Sequence, residues 1–162
     1  MKFTDHKIVT LSPIKLVGLR IKLSLSFDGT AKLWQDFLAR LEEISNRIPK
    51  AFYSVQVYPE NLKMSEFTEH TEFIRWAAVE VNEFGAIPEG MQTKTLTGGK
   101  YAVFLHKGPV KTFVQTSNHA LGTWLPNSEY TLDDRAHFEI LGDKYYGPEH
   151  PESEEEMYIP IR

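Results

Sequence analysis

The chain contains no cysteine, and that absence removes disulfides, thiolate metal sites, iron–sulfur clusters and cysteine nucleophiles together. It also fits a reducing compartment, so a cytoplasmic location is expected. No run approaches the roughly 20 apolar residues of a spanning helix. The opening MKFTDHKIVTLSPIK breaks each apolar stretch with charge, leaving no signal-peptide core. A concentrated basic face is missing too: the net charge is −4, and only Lys94, Lys100, Lys107 and Lys111 are locally enriched. Neither direct nucleic-acid binding nor a membrane surface is therefore expected. The six histidines (His6, His70, His106, His119, His137 and His150) share no metal-ligand spacing, and the acidic run Glu154–Glu156 reads as a solvated loop, so no metal is expected. Gly85, Gly90, Gly98 and Gly99 match no phosphate loop and no serine stands in a G-x-S-x-G turn, so no cofactor is expected either.

What is present is a core. In 162 residues, 41% are hydrophobic, enough for one domain burying roughly 70% of its unfolded surface. Lys7–Leu11 and Ile14–Leu25 read as strands separated at Pro13. Leu33, Trp34, Phe37, Leu38, Leu41, Ile44 and Ile48 then recur at helical spacing, with Asp28 or Thr30 to cap and Pro49 to stop. Ala51–Tyr58 and Glu72–Val81 read as strands. Beyond the connector Phe84–Gly90 the order returns: strands at Gln92–Leu96 and Tyr101–Lys107, a helix over Val110–Leu125, and strands at His137–Leu141 and Met157–Ile161.

A shift of 80 residues lays Leu33 on Phe113 and Leu41 on Leu121; a shift of 85 lays Tyr53 on Phe138 and Val55 on Ile140. The expected fold class is α+β. It comprises two strand-helix-strand-strand units (about 1–83 and 91–162, joined by 84–90) related by a pseudo-twofold axis. Two antiparallel sheets, each covered on one face by its helix, would meet at a central ligand cleft.

Strand parity names the cleft residues. Phe138 and Ile140 should face the helix and Glu139 the cleft, while Met157, Ile159 and Ile161 send Tyr158 to the cleft. The matching first-half positions are Phe52, Ser54 and Gln56, and Ile74, Trp76, Ala78 and Glu80. His137 stands at the cleft edge, and Phe104 joins the expected ligand contacts. An aromatic cleft with a carboxylate suits an organic cation, because ring faces and a fixed negative charge together offset its desolvation.

The second half resembles the AraC-type effector-binding or gyrase-inhibitor-like domain family, also found at the C-terminus of multidrug-sensing transcription factors. The likeness is carried by Tyr101-Ala102-Val103-Phe104-Leu105-His106-Lys107-Gly108-Pro109, Trp124-Leu125-Pro126, Phe138-Glu139 and Met157-Tyr158-Ile159-Pro160-Ile161. It implies a duplicated fold whose cleft glutamate, matched by Glu139, contacts cationic or aromatic ligands, and a cleft tyrosine matched by Tyr158. Relatives that activate transcription carry a helix-turn-helix in front, for which no room is expected before the strand at Lys7. Three functions follow. One is a stand-alone module binding a drug-like cationic or aromatic molecule through Glu139, Tyr158, Trp76 and Phe52. Another is a hydrolase of electrophilic small molecules using Glu139 and Tyr158 as its catalytic pair. The last is an interaction protein acting on a macromolecule through the acidic loop.

Overall fold

The computed structural model describes residues 6–162. Eight strands run β1 (Lys7–Leu11), β2 (Ile14–Leu23), β3 (Arg47–Val57), β4 (Phe73–Val81), β5 (Gln92–Leu96), β6 (Gly99–Lys107), β7 (His137–Leu141) and β8 (Glu154–Pro160). Helix α1 (Thr30–Ala39) lies between β2 and β3, and α2 (Phe113–Asn118) between β6 and β7. The fold is mixed, with strands predominant, and no helix among the described residues is long and apolar enough to cross a membrane.

The expected two sheets are one. All eight strands form a continuous antiparallel sheet in the order β1-β6-β8-β7-β3-β4-β2-β5, because β3 and β7 hydrogen-bond directly, Tyr53 opposite Ile140 and Ser54 opposite Glu139. Read from either edge, the order places β1, β6, β8 and β7 against β5, β2, β4 and β3. The first strand pairs with β6, and β5 with β2, so each edge strand sits in the other half of the sequence.

The sheet is curled. Leu16 and Leu96, near one edge, share a cluster with Tyr101 and Val103, near the other. The crossings between these edges are short, and Gly98 lies so close to Leu11 that an added Cβ would stand 2.7 Å from its carbonyl oxygen. Gly18 is required for the same reason: a Cβ there would lie 2.1 Å from the Ala77 carbonyl oxygen on β4. Curling buries both sheet faces. The inner face holds Tyr53, Trp76, Tyr101, Phe138 and Tyr158; the outer face packs α1 on Val17, Ala77 and Val79, and the α2 region on Ala102, Phe104, Met157 and Ile159.

Three local expectations change. The helix expected over Val110–Leu125 is α-helical only at Phe113–Asn118, between a 3-10 turn at Val110–Thr112 and a π-helical turn at His119–Trp124. The helical stripe continuing to Ile48 ends at Ala39, after which a short 3-10 turn, Leu41–Glu43, drops Ile44 into the core. Arg47 Nη1 then donates to the carbonyls of Leu41 (3.3 Å) and Ile44 (3.0 Å), satisfying groups a longer helix would have paired internally. Pro49 is taken into β3 where the register shifts between Arg47 and Phe52. The acidic run is not a solvated loop but the start of β8. There Glu155 pairs with buried His106 at 3.1 Å and Glu156 with Lys7 at 3.4 Å.

A helix-free groove over the central strands

Helix α1 rests on β2 and β4, and α2 on β6, so the central pair β3 and β7 carries no helix. Side chains of one parity on these strands (Phe52, Ser54, Gln56 and Tyr58; His137, Glu139 and Leu141) form the floor of a groove between the helices. This follows from the register Phe52↔Leu141, Ser54↔Glu139 and Gln56↔His137.

Glu139 stands mid-floor, 6% exposed. Gln56 Nε2 donates to its Oε1 at 3.0 Å. Burial raises its carboxyl to about 8 against the opposing pull of the Arg75 charge, so at neutral pH it is mostly protonated. Two residues along β7, burial depresses His137 to about 4, keeping the ring neutral. Tyr58 packs on His137 (ring centroids 4.9 Å), Phe73 (5.1 Å) and Phe67 (5.8 Å), which gives that end of the groove an aromatic wall. Burial, reinforced by the Glu139 charge, pushes the Tyr58 phenol to about 12. At the other end Phe52 meets Trp34 edge-on at 6.1 Å. A cavity opens at each end. One of about 740 Å³ starts at Tyr58 and His137 and spreads over residues 94–97 at the end of β5 and the charged segment 133–135; one of about 340 Å³ is lined by Phe52, Leu141 and Leu41. The first lies within the range of small-molecule sites.

The residues named from sequence divide between environments. Glu139, Phe52 and His137 meet in this groove. Trp76, Glu80 and Tyr158 lie on the inner face, where Glu80 accepts from the Tyr53 hydroxyl at 3.1 Å. Phe104 is under α2. Glu139 and Tyr158 therefore do not converge: Phe138 is the residue opposite Tyr158, their rings stacked at 4.7 Å, while Glu139 is opposite Met157. A catalytic pair around one substrate atom is not formed by these two side chains. Phe138 and Ile140 face the inner side and not the helices: in a curled sheet both sides are apolar, and hydrophobicity along β7 does not distinguish them. Sequence reasoning also missed Arg75 and Tyr58. Arg75 was findable as the lone cation in the apolar run Phe73–Ala78.

A buried acid between two cavities over a helix-free pair of strands is the architecture of a small-molecule-binding domain. The family comparison agrees: residues 4–162 match the GyrI-like small molecule binding domain, and the chain belongs to that family. It is 30% identical over 158 residues to the transcriptional regulator BrlR of Pseudomonas aeruginosa, covering 96% of this chain and 54% of BrlR. The chain thus spans about half the length of that relative. Among solved structures, the EcmrR C-terminal domain superposes with a TM-score of 0.73 at 14% identity, over 100% of this chain and 99% of that one. SAV2435 bound to tetraphenylphosphonium superposes at 0.70 and 16% identity, over 98% and 94%. These likenesses show the shared fold.

Proposed function

We propose that this chain is a single ligand-sensing unit, arisen by duplication of a strand-helix-strand-strand element. It takes a small organic molecule with an aromatic group and a positively charged nitrogen into the groove over β3 and β7. The observation that carries this is Glu139: a carboxyl at the middle of the sheet, buried, held by one amide and flanked along the floor by two cavities. Such an acid costs stability in either charge state unless something completes its shell, and an ammonium does so while restoring its charge. The rings of Tyr58, Phe67 and Phe73 pack into one aromatic wall, with the Arg75 guanidinium 5.6 Å over Phe73, against which the rest of the ligand would lie.

Glu139 is 6% exposed, so entry requires the groove to open and occupancy would shift its edges, a change readable by an attached or neighbouring partner. The relatives support this role: BrlR is named a transcriptional regulator, and SAV2435 was solved with a lipophilic aromatic cation. Action in the cytoplasm, on several drug-like ligands, is part of the same proposal.

The test is calorimetric titration with aromatic ammonium probes of wild type, Glu139→Gln and Glu80→Gln. Binding should weaken about tenfold or more in Glu139→Gln, the loss of one desolvated charge-assisted contact, and persist in Glu80→Gln. Equal weakening in both, or in Glu80→Gln alone, would move the site to the inner face.

A further inference from the structure

The groove holds a second charge. Arg75 of β4 is opposite Gln56, and its side chain reaches across β3 until Nη1 is 3.5 Å from Ser54 Oγ; Ser54 is itself opposite Glu139. The guanidinium and the carboxyl therefore stand on the two sides of one strand, both aimed over its floor. They do not complete each other, for no ion pair within 4.0 Å among the described residues includes Arg75. Arg75 Nε is buried with no hydrogen-bond partner. Its planar donor fork is suited to a carboxylate or another flat anion.

This arrangement discriminates among ligand charges. A simple lipophilic cation on Glu139 would sit beside a fixed guanidinium in a desolvated groove and be repelled by it. A monoanion on Arg75 would leave the buried Glu139 carboxyl with Gln56 as its partner and its charged form uncompensated. A neutral aromatic would leave the Nε donor of Arg75 unpaired. We infer that the groove is built for a zwitterionic aromatic molecule of amino-acid type, with its cationic nitrogen on Glu139, its carboxylate on Arg75 and its ring on the wall of Tyr58, Phe67 and Phe73. This rests on the groove being the binding site and adds the requirement for an anionic group. Ser54 and Gln56, between the charges, supply the hydroxyl and amide that position the ligand's polar end.

The experiment uses two matched trios: tryptamine, tryptophan and indole-3-propionate; phenethylamine, phenylalanine and 3-phenylpropionate. Each is titrated to millimolar concentration into wild type, Arg75→Gln, Arg75→Lys and Glu139→Gln, with thermal unfolding confirming that each variant folds. In at least one trio the zwitterion should bind about tenfold tighter than the matched cation or anion, the size of one charge-assisted contact. Arg75→Gln should bring the zwitterion down to the cation's affinity, and Arg75→Lys should restore part of the preference. Glu139→Gln should bring it down to the anion's. The inference is overturned if the cation matches the zwitterion in both trios, if no zwitterion binds, or if Arg75→Gln strengthens the cation and leaves the zwitterion unchanged. In the first and last cases a continued loss in Glu139→Gln would leave the groove standing as the site. Probes that bind wild type and Glu139→Gln alike would refute the groove reading itself.

Discussion

The buried acid and the buried histidine two residues apart on β7 act on stability in opposite senses. Glu139 is raised from an ordinary 4.5 to about 8, so its fold-stabilising protonation is complete below 4.5 and is lost as pH rises through 8. His137 is lowered from 6.5 to about 4; its contribution is complete above 6.5 and is lost as pH falls through 4. Between 4.5 and 6.5 the two slopes cancel, and from 6.5 to 8 the Glu139 slope acts alone. Replacing Glu139 by Gln removes one slope and keeps the amide's hydrogen-bonding capacity. At ~1.4 kcal/mol per pKa unit, wild type should lose about 3 kcal/mol relative to Glu139→Gln between pH 5 and pH 7. Denaturant unfolding of both proteins at half-unit pH steps reads that difference directly. A stability difference that stays constant from pH 5 to pH 8 would refute the buried, neutral carboxyl and with it the reason for placing a ligand there.

Other expectations follow from the same geometry. Because Glu139 is mostly protonated at pH 7, a cationic ligand that ionises it should release close to one proton, seen as a dependence of binding enthalpy on buffer ionisation heat; no such dependence would place the cation elsewhere. Tyr158→Phe should change groove binding less than about twofold and stability by less than ~1 kcal/mol, since the phenol faces the inner side and its hydrogen bond to Glu156 is long at 3.5 Å. A large binding loss in calorimetry would contradict the assignment of faces. Gly18→Ala should cost about 2–3 kcal/mol in denaturant unfolding, because the new Cβ would meet the Ala77 carbonyl oxygen and the Ala78 backbone; a neutral result would show that β2 and β4 can separate.

Much of the chain was legible as local pattern. The strand at Lys7–Leu11 and those at Gln92–Leu96 and His137–Leu141 appear with the bounds read from sequence, since alternation and turn residues act over a few positions. Glu139 was singled out by its parity, opposite to that of Phe138 and Ile140, and by the family resemblance, and the structure buries it. What the helical stripe could not convey is that Ile44 and Ile48 leave the helix: Ile44 serves the core from a turn, and Ile48 lies half-buried in β3. The acidic run was misread for a related reason. Glu155 is tolerated in a strand only because His106, 49 positions earlier in the chain, lies opposite it in the register of β6 and β8.

Residue identity and spacing thus determined by themselves where most strands and the two helical regions fall. Tertiary structure alone decided the sheet's continuity and the faces of its side chains. Pairing of β3 with β7 joins the halves, and the register of β7 on β8 sets Phe138, not Glu139, beside Tyr158. A one-residue change in that register would reverse every assignment, and no local pattern encodes it when curling makes both faces apolar. The company of Arg75 and Glu139 is of the same kind: two charges 64 positions apart in sequence are brought over one strand by backbone hydrogen bonds that carry no side-chain information.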